Sequence, residues 1–138
     1  MRTRNNKRKL NELEEAIDKN IDLVKFLKEQ DNETLKQFAL EASIRGNLEI
    51  IKFIYEFNSN IIRYTSYEIN YNALVNDHLS ILKWMFSTFK LGHANNSAEI
   101  ACKHGHLDIL EWILQAPSPN LGLYKALEYA AENGYLDI

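Results

Sequence analysis

The chain has 138 residues, about the size of one domain, and 46% of them are apolar, which is ordinary for a protein that folds around a core. A single cysteine excludes an internal disulfide, and the sequence contains neither an apolar run long enough to span a membrane nor a secretory signal. We therefore expect an intracellular protein of the cytoplasm or nucleus, with no membrane partner.

The start of the chain is basic, whereas the rest is acidic. Residues 1–9 hold five of the 16 basic residues, namely Arg2, Arg4, Lys7, Arg8 and Lys9. Residues 10–138 then carry 11 basic and 19 acidic side chains, a net charge of −8. Because nucleic-acid binding needs Lys and Arg spread over a face, the acidic body is expected to repel DNA and RNA. Segment 1–9 is predicted to be a flexible tail that either solubilises the body or binds nucleic acid or a nuclear-import receptor.

One motif recurs along the acidic body, and its copies read "ASIRGNLEIIKFI", "ALVNDHLSILKWM", "ACKHGHLDILEWI" and "AAENGYLDI". Each copy begins with an alanine, followed six residues later by a leucine: Ala42 and Leu48, Ala73 and Leu79, Ala101 and Leu107, Ala130 and Leu136. A weaker copy, "NIDLVKFL", begins at Asn20. This regularity predicts five repeat units, at about 10–31, 32–61, 62–90, 91–119 and 120–138, of which the last is truncated.

Each unit is predicted to consist of two short helices joined by a tight turn. The first helix ends at a residue type that tolerates the left-handed conformation, namely Gly46, Asp77, Gly105 or Gly134. The second helix has too broad an apolar stripe to rest on one neighbour, so it is expected to be sandwiched between units. The repeated alanine is then explained by close approach of helices, and "NSN", "GHANNS" and "PSPNLG" are expected to be turns between units.

"ACKHGHLDILEWIL" and "AAENGYLDI" resemble the second half of an ankyrin repeat. The units depart from that family in their first half, which lacks the Thr-Pro-Leu-His segment, and in their shorter length. This short form, with an aromatic residue in "ILKW" and "ILEW", resembles the divergent ankyrin repeats of giant DNA viruses and amoebae. The resemblance implies an all-α solenoid of stacked helix-turn-helix repeats that binds another protein, which is a host protein if the chain is viral.

Cys102, His104 and His106 alternate along "ACKHGHLDIL" and raise the question of a metal site. The repeat favours a structural interpretation, because Cys102 and His106 occupy scaffold positions and zinc needs three or four convergent ligands. We expect no metal or other cofactor; His78 and His106 are expected to form hydrogen bonds across their turns, and His104 to be exposed. Trp84 and Trp112 lie 28 residues apart at one repeat position, which favours packing over ligand contact.

Tyr64, Tyr67 and Tyr71 lie at i, i+3 and i+7, on one side of the third unit's first helix. Such a stripe is more often core than contact surface, and both interpretations stay open. The ankyrin resemblance places this helix on the concave surface, so the three tyrosines are candidate partner-binding residues. Asn95 and Asn96, in the loop "GHANNS", complete the candidate set.

Catalytic signatures such as a glycine-rich phosphate loop, G-x-S-x-G or H-E-x-x-H are missing, so no enzyme activity is expected.

The chain ends three residues into a helix, and Leu136 and Ile138 cannot form the polar cap that repeat arrays need. We expect a frayed end or an array shortened from a longer one, which has no autonomous function if its binding units are missing. A monomer is expected, with association through the uncapped end as an alternative.

Overall fold

The computed structural model describes residues 2–18, 23–90 and 97–115, together with Glu128, Ala131 and Glu132. These residues are helical without any strand, which confirms the all-α fold class. None of their helices is both long and apolar enough to cross a membrane. In chain order the helices are α1 (Arg2–Asp18), α2 (Leu23–Lys28), α3 (Asn32–Arg45), α4 (Leu48–Phe57), α5 (Ser59–Tyr64), α6 (Ser66–Val75), α7 (Leu79–Phe89), α8 (Ser97–Lys103) and α9 (Leu107–Leu114).

The chain forms two compact units, 1–72 and 73–138, whose boundary falls inside α6. In the first unit, α3 packs against α1 and α4, and α5 contacts both α3 and α4. Its core is formed by buried aliphatic side chains and Phe38, including Leu10, Leu13, Leu27, Leu35, Ile50, Ile51, Ile54, Ile62 and Ile69. In the second unit, α8 packs against α9, and the buried side chains include Ile81, Met85, Ile109 and Ile113.

The same turn joins α3 to α4, α6 to α7 and α8 to α9. Each turn contains one residue with a left-handed backbone: Gly46 (φ 81°), Asp77 (φ 63°) and Gly105 (φ 73°). The next residue donates its backbone N–H to the carbonyl of the repeated alanine: Asn47 to Ala42 (2.9 Å), His78 to Ala73 (2.8 Å) and His106 to Ala101 (2.8 Å). This bond satisfies a carbonyl that the helix end would leave without a partner. Because the three alanines are also fully buried, backbone bonding and close packing coincide at this position.

Replacing Gly46 by Ala should lower the free energy of unfolding by about 1 kcal/mol, because a Cβ is disfavoured in the left-handed region. Asp77→Gly is the matched change in the opposite direction. It should leave the free energy of unfolding nearly unchanged, because glycine relieves the backbone strain at this position but also increases the conformational entropy of the unfolded chain. Urea unfolding followed by circular dichroism measures both. A neutral Gly46→Ala variant would contradict the left-handed conformation at this turn.

Polar side chains at two of these turns reach back to a helix about one repeat earlier. The Asn47 amide donates to Glu14 Oε1 on α1 (3.2 Å), across 33 residues of sequence. Arg45 donates to Asn11 on the same helix (2.7 Å). In the second unit, His106 Nε2 lies 2.7 Å from the carbonyl oxygen of Val75, the last residue of α6. Since a carbonyl only accepts, Nε2 carries the proton and satisfies one of the last carbonyls of α6.

The basic segment differs from the expected flexible tail. Residues 2–9 are the first half of α1, which continues to Asp18 without a break. The sequence contains no proline or glycine between Arg2 and Asp18, and Leu10 and Leu13 are fully buried in the first unit. The anchored second half of α1 can therefore propagate helix toward the chain start, because extending a helix is far easier than nucleating one.

The third helix pair begins earlier than the predicted boundary at residue 62, and its first helix is in two parts. Asn58 alone separates α4 from α5, and its side chain caps α5 by accepting from the backbone N–H of Asn60 (3.2 Å). Ser59 and Asn60 are therefore helical, whereas the turn expected at "NSN" is reduced to Asn58. The break between α5 and α6 is at Thr65, whose buried hydroxyl donates to the carbonyl of Ile61 (2.6 Å).

Candidate partner-binding surface

Tyr64, Tyr67 and Tyr71 form an exposed aromatic surface, here named the tyrosine face. Tyr64 ends α5, and the other two lie on α6. Their side chains are exposed by 85%, 69% and 49%, respectively. Thr65 connects the two helices: it donates its N–H to the Ile61 carbonyl of α5 (3.2 Å), and its carbonyl accepts from the N–H of Ile69 on α6 (2.9 Å). The core interpretation of these tyrosines is therefore wrong.

The opposite side of α5 and α6 explains why the tyrosines face outward. Ile61, Ile62, Thr65 and Ile69 are buried, and they recur at three- and four-residue spacing. This apolar side occupies the core, so the tyrosines, offset from it along the helix, remain in solvent. The amphipathic pattern could have been found in the sequence by noting that isoleucines, not tyrosines, hold the core spacing.

Helix α6 is hydrogen-bonded to α3 through Asn72, the residue that follows Tyr71 of the tyrosine face. The Asn72 amide donates to the Ser43 hydroxyl (3.0 Å), which itself donates to the carbonyl of Leu40 (2.6 Å). Ile44 follows Ser43 and is exposed by 43%. Sequence reasoning missed Ile44, which adds a further exposed apolar side chain near the α3–α6 contact.

No family model matches the chain, and neither the curated proteins nor the solved structures contain a match. The function must therefore be inferred from the chain's own residues. The tyrosines are three of the seven large apolar side chains that are exposed within the described residues, with Tyr67 and Tyr71 one turn apart on α6 and Tyr64 at the end of α5. Tyrosine combines a large, stiff contact area with a polar hydroxyl, which suits it to reversible protein contacts.

The other candidate residues lie at helix starts, on α1 or outside the described part of the chain. Asn95 and Asn96 lie outside the described residues, as do Ala130, Gly134 and Leu136 among the repeat positions. Leu48, Leu79 and Leu107 are the first residues of α4, α7 and α9, and Leu107 is exposed. On α1, Arg4, Lys7 and Arg8 are exposed, and Arg8 forms an ion pair with Glu12 (3.9 Å).

The cysteine and histidines of the second unit occupy three different environments. Cys102 is buried, His104 is exposed and His106 is half-buried. His106 does not cap its own helix; its Nε2 bonds to Val75 and its Nδ1 lies 3.8 Å from Asp77 Oδ1. The hydrogen bond expected across the turn is thus made instead to the end of α6. Within the described part of the chain, no three His, Cys, Asp or Glu side chains are grouped to hold a metal ion.

The two tryptophans are half-buried and in contact with phenylalanines. Trp112 on α9 meets Phe86 on α7 edge to face, with ring centroids 5.9 Å apart. Trp84 makes the same kind of contact with Phe89, at 6.2 Å. Such edge-to-face pairs are favourable beyond their buried area, so α7 and α9 are joined by aromatic packing in the second unit.

Burial raises the pKa of the Cys102 thiol above its ordinary value. The folded chain holds this proton more tightly than the unfolded chain, so the contribution of the thiol to folding stability is complete below its ordinary pKa and is lost as pH rises through the raised pKa. We therefore expect Cys102 to react with a thiol reagent far more slowly in the native chain than in urea. An exposed control is Lys103→Cys in a Cys102→Ala background, which should react rapidly when folded. Equal native rates would contradict the burial of Cys102.

Proposed function

We propose that this chain is a non-catalytic protein-binding scaffold built from ankyrin-like repeats stacked as a solenoid. The observation that carries the proposal is the tyrosine face, where three aromatic side chains at the end of α5 and on α6 are 49–85% exposed. Each tyrosine can bury about 150–250 Å² in a contact, and a cluster of exposed aromatic side chains is typical of an interaction surface.

The helix pairs support the repeat part of the proposal. The turns after α3, α6 and α8 share a left-handed residue and a bond to the carbonyl of a buried alanine. Asn47 and His106 reach back 33 and 31 residues, about one repeat length, to α1 and α6. In a stack, each repeat contacts mainly its neighbours. Hydrogen bonds between residues about one repeat length apart are therefore expected in such a stack.

The test is affinity capture from cell lysate with the 138-residue chain and with a Tyr64→Ala, Tyr67→Ala, Tyr71→Ala variant. The variant should remain folded, because surface substitutions usually change stability by no more than about 0.5 kcal/mol each. It should bind the captured partner at least about tenfold more weakly, since aromatic side chains often dominate contact energies.

The control replaces three exposed residues outside the tyrosine face, Lys52, Glu56 and Lys83, by Ala. This variant should retain the partner fully. A partner bound equally by the chain and by the tyrosine variant would refute the tyrosine face as the contact surface.

The exposed cations of α1 favour a second candidate, binding of nucleic acid or an import receptor by the basic segment. Arg4, Lys7 and Arg8 have the i, i+3, i+4 spacing of one helix face and are all exposed. Three phosphate contacts would give a slope of about −2.7 in a plot of log affinity against log salt.

Deleting residues 1–9 would shorten a helix that carries the buried Leu10 and Leu13, so substitution is the better test. Arg4→Gln, Lys7→Gln and Arg8→Gln should abolish binding to duplex DNA, measured by fluorescence anisotropy, or to an import receptor, and leave tyrosine-dependent capture intact. Absence of binding by the unmodified chain would remove this candidate.

A further inference from the structure

We propose that the tyrosine face receives a peptide segment of its partner that carries Arg or Lys side chains. This inference rests on the proposed function, since it states the chemistry of the partner bound at that same surface.

Glu68 is the charged residue within the tyrosine face. It is exposed on α6, four residues after Tyr64 and three before Tyr71. Residues three apart are neighbours on a helix, so the Glu68 carboxylate lies next to the exposed phenol ring of Tyr71 on α6. Residues 64–72 contain no Lys or Arg, which leaves this part of the face with one negative charge.

A ring face next to a carboxylate is suited to a cation. The π-face of tyrosine attracts an ammonium or guanidinium group, and guanidinium can also stack on the ring. Glu68 would pair with the same group, so ring contact and ion pair can be made together. Arg63 is exposed near the end of α5, next to Tyr64 in sequence, whereas Glu68 is exposed on α6. A partner cation is therefore directed to Glu68 and Tyr71 and away from Arg63.

The charge of Glu68 selects against other partner chemistries. Residues 1–72, the unit that holds the tyrosine face, carry 12 basic and 12 acidic side chains, so the selection rests on this local carboxylate and not on a long-range field. An acidic segment would be repelled by Glu68. A wholly aliphatic segment would remove water from the Glu68 carboxylate without supplying a counter-charge, which is unfavourable.

The dimensions of the face suit an extended segment. Tyr67 and Tyr71 are four residues apart on α6, about 6 Å along the helix at 1.5 Å per residue. An extended chain covers that distance in about two residues. One cation at Glu68, followed by side chains that pack on the remaining rings, would occupy the whole face.

The experiment selects random displayed peptides on the full chain and removes those that also bind the Tyr64→Ala, Tyr67→Ala, Tyr71→Ala variant. Arg and Lys should be enriched at least about twofold over the starting library, and Asp and Glu depleted. One enriched peptide is then synthesised and titrated calorimetrically. Glu68→Gln should weaken its binding about three- to tenfold, and raising the salt concentration should weaken it as well. Glu56→Gln, the control at an exposed position on α4, should leave the affinity unchanged.

Tyrosine-dependent peptides without enrichment of Arg or Lys would overturn this inference and leave the proposed function standing. Enrichment of acidic peptides, or an affinity indifferent to Glu68→Gln, would also overturn it. Failure to obtain any tyrosine-dependent peptide would overturn both proposals. Tyrosine-dependent self-association in analytical ultracentrifugation would make a second copy of the chain the occupant, and would likewise overturn the inference.

Discussion

Phe38→Ala is expected to lower the free energy of unfolding by about 3–5 kcal/mol, which is a large part of the stability of a small domain. Phe38 lies on α3 and is fully buried in the core of the first unit. Since α3 packs against α1, α4 and α5, a cavity at this position removes contacts at the centre of that unit. Urea unfolding followed by circular dichroism measures the change.

Tyr64→Ala is the matched control for Phe38→Ala. It removes an aromatic side chain of similar size from a helix of the same unit, but one that is 85% exposed. Its effect should be no larger than about 0.5 kcal/mol. If the two variants were equally stable, α3 would not occupy the centre of the first unit.

The second-largest expected effect is overpacking at the repeated alanine. Ala42→Leu should destabilise the chain by about 1–3 kcal/mol, because the Ala42 side chain is fully buried and has no space for three further carbons. Leu and Ala have similar helix propensities, so the loss reports packing rather than helix formation. Ala101→Leu should have a similar effect in the second unit, where Ala101 is also fully buried.

Ala131→Leu is the control for these overpacked variants, because Ala131 is helical but exposed. Its free energy of unfolding should stay within about 0.5 kcal/mol of the unmodified chain. Comparable losses in the buried and exposed variants would show that leucine disfavours the helices themselves, against the close-packing role of the alanine.

Much of the helical pattern could be predicted from the sequence, because the signals for the turns are local. Gly46 and Gly105 lie where only a residue without a Cβ is unstrained, and Asp77 is among the few other types that tolerate this conformation. The alanine-to-leucine spacing marks both sides of each turn. The ends of α3, α6 and α8, and the starts of the helices that follow, therefore lie close to the positions the repeat indicates.

The errors arose where contacts remote in sequence decide the outcome. The helical state of residues 2–9 depends on the anchoring of Leu10 and Leu13 in the first unit, which their own composition does not indicate. The exposure of Tyr64, Tyr67 and Tyr71 is, by contrast, decided locally, because isoleucines of the same helices take the core positions. The partner of His106 is the end of α6, 31 residues earlier, and periodicity alone cannot identify it.

Duplication of a helix pair would affect the backbone hydrogen bonds of the turns and the side-chain hydrogen bonds between helices differently. The bond from the turn to the alanine carbonyl uses main-chain atoms alone, so a duplication of the coding DNA for one helix pair copies it complete. The hydrogen bond between Asn47 and Glu14 needs a suitable side chain on each of two neighbouring helix pairs. It would therefore have to arise anew wherever a duplicated pair meets a different neighbour. A duplicated helix pair would therefore have its turn bond from the start, whereas its side-chain bonds to the preceding helices would depend on the residues that those helices supply.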